Sequence, residues 1–196
     1  MNEIWMVRHG ETEWSLSGAH TGSTDIPLTE NGRAGAVAIG RYLAGRHFDL
    51  VLVSPLQRAR ETCRLAGYDD VAEVEPNLRE WVYGDIEGRT TAEVRQEHPG
   101  WSLWDDGPPH GESVEAVAAR AQLVIDRVLA ERGDVLLFAH GHVLRILTAC
   151  WLGLLPDTAR RFALGTASAS ILGYERQTPA MLRWNIAVGG LSPPEK

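Results

Sequence analysis

Short unbroken apolar runs alternate along this chain with stretches whose apolar positions recur every three or four residues. Residues 4–7, 50–53 and 135–139 are the runs, and each reads as a strand covered on both faces. Residues 71–74 give a further, weaker strand, and 169–174 with 181–188 give two late ones joined by a polar turn. Thr29 is placed to cap a helix over 30–45 whose apolar face is supplied mostly by Ala34, Val37, Ala38 and Leu43. Ser54-Pro55 opens a helix to about Ala66, and a short helix falls near 90–98. After Ser113, Val114, Val117, Ala121, Val124 and Val128 keep the helical period, with Glu115, Arg120, Asp126 and Arg127 outside. An apolar helix follows His140-Gly141-His142 to about Trp151. Residues 11–28, with Gly18, Gly22 and Pro27, lack a period and read as a long loop. Residues 99–111 form an irregular stretch rich in Trp, Gly and Pro.

Strands alternating with helices predict an α/β fold, a three-layer α/β/α arrangement around a mostly parallel central sheet with an antiparallel edge. With 196 residues, no repeat and no linker, a single domain over 1–196 is expected, its last residues 191–196 frayed.

Charge removes classes of partner. Nineteen Lys and Arg against 26 Asp and Glu leave a net charge of −7, and Lys196 is the only lysine. Such a surface repels nucleic acid and anionic membranes unless arginines gather locally. No run reaches the roughly 18 apolar residues of a membrane span, and the beginning, with Glu3, does not read as a signal peptide. Cys63 and Cys150 cannot build a disulfide framework or a four-thiolate zinc site. They read as small core residues in a reducing, cytoplasmic setting. A homodimer is compatible with the pattern, because an apolar helix face looks the same against a core or a second subunit.

Three polar clusters stand where strands end: Arg8-His9, Ser54 with Arg58, and His140-Gly141-His142. Carboxyl ends of strands form the sites of open α/β sheets. Arg58, four residues after Ser54, is expected to point back toward the strand end. Two guanidinium forks and helix N-termini make a cradle for a dianion. The chemistry that suits it is phosphoryl transfer. A neutral imidazole attacks phosphorus while Arg8, Arg58 and a second histidine hold the oxygens. A carboxylic acid protonates the leaving oxygen, and water then cleaves the phosphohistidine. Glu80 is the acid suggested by context; spacing alone does not separate it from Glu11, Asp85, Glu87 or Glu112. Two other readings compete. A metal hydrolase using His9, His140, His142 and a carboxylate is opposed by two arginines in the same pocket. A catalytically inactive phosphate-binding module is opposed by the intact set of Arg8, His9, Arg58, Glu80 and His140.

The ordered series Val7-Arg8-His9-Gly10-Glu11-Thr12-Glu13-Trp14, Thr21-Gly22, Asp25, Pro27-Leu28-Thr29 and Ser54-Pro55-Leu56-Gln57-Arg58-Ala59 resembles the histidine phosphatase superfamily, which includes phosphoglycerate mutases. The likeness continues through residues 80–88, Asp106-Gly107, Gly111-Glu112-Ser113 and His140-Gly141-His142, and covers roughly residues 4–150. It implies that His9 is the phosphorylated nucleophile, that Arg8, Arg58 and His140 bind the phosphoryl group, and that Glu80 is the general acid and then the base. It also implies that neither metal nor organic cofactor is needed. The wording is most similar to broad-specificity acid and sugar-phosphate phosphatases, which implies hydrolysis of small phosphomonoesters such as a sugar phosphate or bisphosphate. The alternative is a phosphoglycerate mutase. Glycolytic mutases are usually longer and carry a basic pair after the catalytic glutamate; here Trp81 follows Glu80, Ser15 stands in place of asparagine and Ser23 in place of an aromatic. Candidates for the substrate pocket are Trp14, Ser15, His20, Thr21, Gly22, Trp81, Tyr83, Trp104 and His142, the last read also as a support behind the site.

Overall fold

Successive side chains of a strand point to opposite faces, so a run that is apolar at every position needs cover on both. The computed structural model, which describes residues 3–188, supplies that cover; the tail expected to fray over 191–196 lies outside the described residues. Strands β1 (Ile4–Arg8), β2 (Leu50–Val53), β3 (Ala72–Val74), β4 (Val135–Ala139), β5 (Ser168–Glu175) and β6 (Thr178–Ala187) form one sheet in the order β3-β2-β4-β1-β5-β6. The first four are parallel to one another, β5 joins β1 antiparallel, and β6 returns beside β5. The helices are α1 (Glu13–Ser17), α2 (Glu30–Leu43), α3 (Gln57–Leu65), α4 (Thr91–Glu97), α5 (Val114–Leu129) and α6 (Gly141–Trp151).

Alternation divides the core in two. Ile4, Met6, Leu52 and Leu137 pack with apolar residues of α5 and α6 and of the irregular 78–103 stretch. Trp5, Val7, Val51, Leu136 and Phe138 pack on the other side with Ile39 and Leu43 of α2 and Ala59 and Cys63 of α3. The three expected layers are therefore present, with a mixed, mostly parallel sheet between them.

Register brings the polar clusters together. Arg8 lies opposite Ala139, and Val53 opposite Phe138. One residue on, His9 N donates to Ala139 O at 3.0 Å and Ser54 N to Phe138 O at 2.9 Å. His9, Ser54 and His140 thus leave the sheet side by side at its carboxyl edge.

The local differences from the sequence reading have identifiable causes. The loop expected over 11–28 contains α1, a single turn too short to display a period. Thr12 and Ser15 close it with a reciprocal capping box, and Gly18 ends it at φ 76°. Thr29 caps α2 as expected, its Oγ1 accepting from Gly32 N at 3.0 Å. The buried face of that helix, however, is Gly32, Gly35, Ala36, Ile39 and Leu43, while Ala34 and Val37 are exposed. Glycines carry no hydrophobic signal, so the face they line was misplaced. Helix α3 begins at Gln57 rather than at Pro55, because Leu56 offers no cap; Asp25 Oδ1 accepts from Gln57 N at 2.7 Å instead. Arg120, expected outside α5, is buried.

Candidate active site

His9 follows directly on β1. Its Nδ1 lies 2.7 Å from the carbonyl oxygen of Gly10, which can only accept, so the proton sits on Nδ1 and the lone pair on Nε2. The imidazole is buried on the wall of a cavity of about 430 Å³. Burial, then the positive charges of Arg58 and Arg8, hold its pKa well below the ordinary histidine value, so it is neutral. Close packing fixes the turn that follows. A Cβ on Gly10 would stand 2.3 Å from Gly32 O, so the start of α2 touches this loop backbone to backbone.

His140 ends β4. Its Nδ1 accepts from Arg58 Nε at 3.1 Å, which leaves the proton on Nε2 to donate to Ser54 Oγ at 2.6 Å. Its ring centroid is 5.2 Å from that of His9, and its pKa too is lowered well, by burial first and then by Arg58. Arg58 is wholly buried behind these rings rather than on the cavity wall. Its Nη1 donates to Thr24 O at 3.0 Å, and Nη2 donates to Thr21 O at 3.0 Å and Gly22 O at 2.9 Å. Arg58, expected on the phosphoryl group, braces the 21–24 loop and His140 through these bonds. Arg8 does reach the cavity. It donates through Nη1 to Leu164 O, while its buried Nε has no partner among the described residues. A buried donor without an acceptor is costly unless a ligand supplies one.

Of the carboxylates considered, Glu80 is the one on the cavity wall. It is buried on the cavity wall, where Oε1 accepts from Trp81 N at 3.0 Å and Val143 N at 2.9 Å, and Oε2 from His142 N at 3.0 Å. It therefore caps α6, whose N-cap residue His140 makes no side-chain cap of its own. The competitors are engaged elsewhere. Glu11 accepts from Thr29 Oγ1, Glu87 from Gly22 N and Thr24 N, Asp85 pairs with His110, and Glu112 pairs with Arg120.

Of the expected pocket residues, Trp14, Ser15, His20, Thr21, Tyr83, Trp104 and His142 line the cavity, and Gly22 and Trp81 do not. Trp81 is fully buried, with Nε1 donating to Glu112 O at 2.7 Å. Ser15 Oγ is occupied within α1 by Thr12. Tyr83 Oη and His142 Nδ1 share a 2.7 Å hydrogen bond, and the His20 ring lies tilted against Tyr83 with centroids 4.9 Å apart. Burial keeps the Tyr83 phenol well above its usual pKa, reinforced by the charge of Glu80.

Residues missed at the sequence level include Thr91, Arg95, Ser102 and Arg145, all on the cavity wall. Arg145 had a usable signal, since it lies three residues after His142 on one helix and so shares its face. Arg120 is a different omission. It binds both oxygens of Glu112 and the carbonyls of Asn77, Arg79 and Glu80, tying α5 to the strand-like segment that carries Glu80.

Comparison with known proteins agrees with this geometry. Residues 4–187 match the profile of a family described as the histidine phosphatase superfamily, branch 1. An acid phosphatase of Mycobacterium tuberculosis is 40% identical over 178 residues, spanning 89% of this chain and 87% of its own length. The sedoheptulose 1,7-bisphosphatase of Saccharomyces cerevisiae is 35% identical over 182 residues, 76% of this chain and 67% of that protein. A solved structure of an open reading frame product of M. tuberculosis superposes with a TM-score of 0.89 at 38% identity, covering 95% of this chain and 98% of that one.

Proposed function

Because this chain belongs to the histidine phosphatase superfamily and is a phosphatase-type enzyme of small phosphorylated metabolites, we propose a division of labour among its residues and a sugar phosphate or bisphosphate as substrate. His9 Nε2 attacks phosphorus as the ester P–O bond breaks. Protonated Glu80 delivers its proton to the departing oxygen, leaving a phosphohistidine and a free alcohol. Glu80, now a carboxylate, takes a proton from water as its oxygen attacks phosphorus. The P–N bond breaks and inorganic phosphate leaves. Arg8 Nε and the Nε2–H of His140 hold the phosphoryl oxygens, the latter in exchange for Ser54. Arg58 joins them through its remaining Nη1 N–H and its charge, and also fixes His140.

The observation that carries this reading is His9, neutral and tied through Nδ1 to Gly10 O, on the same cavity wall as Glu80. The same arginine charges that depress the histidine pKa oppose a metal cation here, and among the described residues no group of His, Cys, Asp and Glu is arranged to hold one. The two free cysteines fit a reducing, cytoplasmic setting, and no described helix is long and apolar enough to cross a membrane.

The test is phosphate release from sugar phosphates, sugar bisphosphates and phosphoglycerates in chelator, with His9→Ala alongside and acid quenching to trap the labelled enzyme. Release abolished in His9→Ala, with an acid-labile, alkali-stable label on the wild type, is the expected result. Isomerisation of 3-phosphoglycerate without phosphate release would replace this reading with the mutase one.

A further inference from the structure

The cavity has a cationic end that phosphoryl transfer at His9 does not use. Arg145 stands four residues after Gly141 on α6, so it lies on the same face about 6 Å farther along the axis. Gly141 is where the Arg8 guanidinium packs, 3.4 Å from the position a Cβ would occupy. Arg145 is anchored away from His9: Nε donates to Ala159 O at 3.0 Å, and the guanidinium lies 5.0 Å over the Trp104 ring. Arg95 is anchored on the same irregular stretch, its Nε donating to Trp101 O at 2.7 Å. Both line the cavity.

Neither charge is held in a direct ion pair. Arg33, Arg120, Arg127 and Arg160 each pair with carboxylates, yet among the described residues neither Arg95 nor Arg145 has an ion-pair partner. Burial pulls the pKa of Arg145 down, and the charge of Glu80, which forms no ion pair with it, offsets this only in part. The chain as a whole carries −7, so two unpaired arginines in one cavity are not a reflection of general basicity. The same wall also carries His20, Tyr83 and His142, hydrogen-bonding rings that suit hydroxyl groups.

We propose that Arg145 and Arg95 form a second anion subsite, which selects substrates bearing a further acidic group, phosphate or carboxylate, at the end remote from the ester that is cleaved. This rests on the phosphatase reading of the same cavity. The experiment compares kcat/KM for a hexose bisphosphate, the matched hexose monophosphate and 3-phosphoglycerate in the wild type, Arg145→Gln, Arg145→Lys and Arg95→Gln. A direct arm measures binding of the same compounds to His9→Ala and His9→Ala/Arg145→Gln by calorimetry, which reads the subsite even where turnover fails. Arg145→Gln is expected to lower the bisphosphate-to-monophosphate ratio about ten- to a hundredfold, with partial rescue by lysine. A larger loss on 3-phosphoglycerate than on the bisphosphate identifies the group as a carboxylate. Equal losses on all three compounds, with equal binding to both His9→Ala proteins, overturn the subsite. Should Arg145→Gln fail to fold, the exposed Arg95→Gln gives the same ratio test. Absent turnover with selective binding would sink the phosphatase reading and leave the subsite standing.

Discussion

Glu80 caps α6 from the cavity wall, and the proposed mechanism makes it the proton donor as well. The roles separate by experiment. In Glu80→Gln one oxygen still accepts from Trp81 N and Val143 N, but an amide nitrogen then faces the N–H of His142, and no proton is available for the leaving group. Loss of the proton donor is expected to cost about 10²–10⁴ in kcat for an alkyl phosphate, whose leaving oxygen must be protonated. For p-nitrophenyl phosphate, whose leaving group departs unaided, the loss is expected to be at least about tenfold smaller. Equal losses on the two substrates would assign Glu80 a purely structural role. The gathering of Arg8, His9 and His140 was legible in the sequence because strand ends announce where polar groups meet, whereas Glu80 rested on context and resemblance. Arg58 was legible as a member, but the loop that surrounds it was not. The direction of a buried guanidinium depends on the 21–24 loop, which brings three carbonyls to it from far along the chain.

At the scale of elements, the placement of α2 decides whether His9 is held. Gly10 and Gly32 meet backbone to backbone, and a Cβ on Gly32 would fall 2.2 Å from Glu11 O, which cannot swing away as a flexible side chain would. Gly32→Ala is therefore expected to destabilise by about 1–3 kcal/mol, read from the urea midpoint. Val37→Ala, on the same helix and exposed, is expected to change stability by less than about 0.5 kcal/mol. The opposite order would restore the apolar face first read from Ala34, Val37 and Ala38. Strands β1, β2 and β4 followed from unbroken apolar runs and helices α5 and α6 from their apolar positions, since their buried residues are mostly apolar. α1 did not, being one turn long, and neither did the burial of Arg120. A charged residue inside a helix face signals nothing until Glu112 and three carbonyls are known to surround it.

For the molecule as a whole, neutral histidines beside arginines link activity to stability through protons, the buried His9 and His140 foremost and the half-buried His142 with them. An unfolded histidine titrates near 6.5, whereas His9 and His140 have pKa values well below it, through burial first and then the Arg58 charge. Below pH 6.5 the unfolded chain therefore binds protons that the fold refuses, and stability falls as pH falls. The loss begins near pH 6.5, approaches about 1.4 kcal/mol per pH unit for each histidine, and levels off only when the folded values are reached. Carboxylates contribute in a lower window. Glu112, which burial alone would push up, is held below its ordinary value by Arg120, so its stabilising share is lost only as pH drops through that lowered value. Urea midpoints between pH 7.5 and 5.5 are thus expected to decline while the paired carboxylates are still ionised. His9→Asn removes one titrating group and is expected to flatten the decline by that group's share. A flat profile in the wild type would mean that these imidazoles take up protons inside the fold, and the neutral nucleophile inferred for His9 would fail with it.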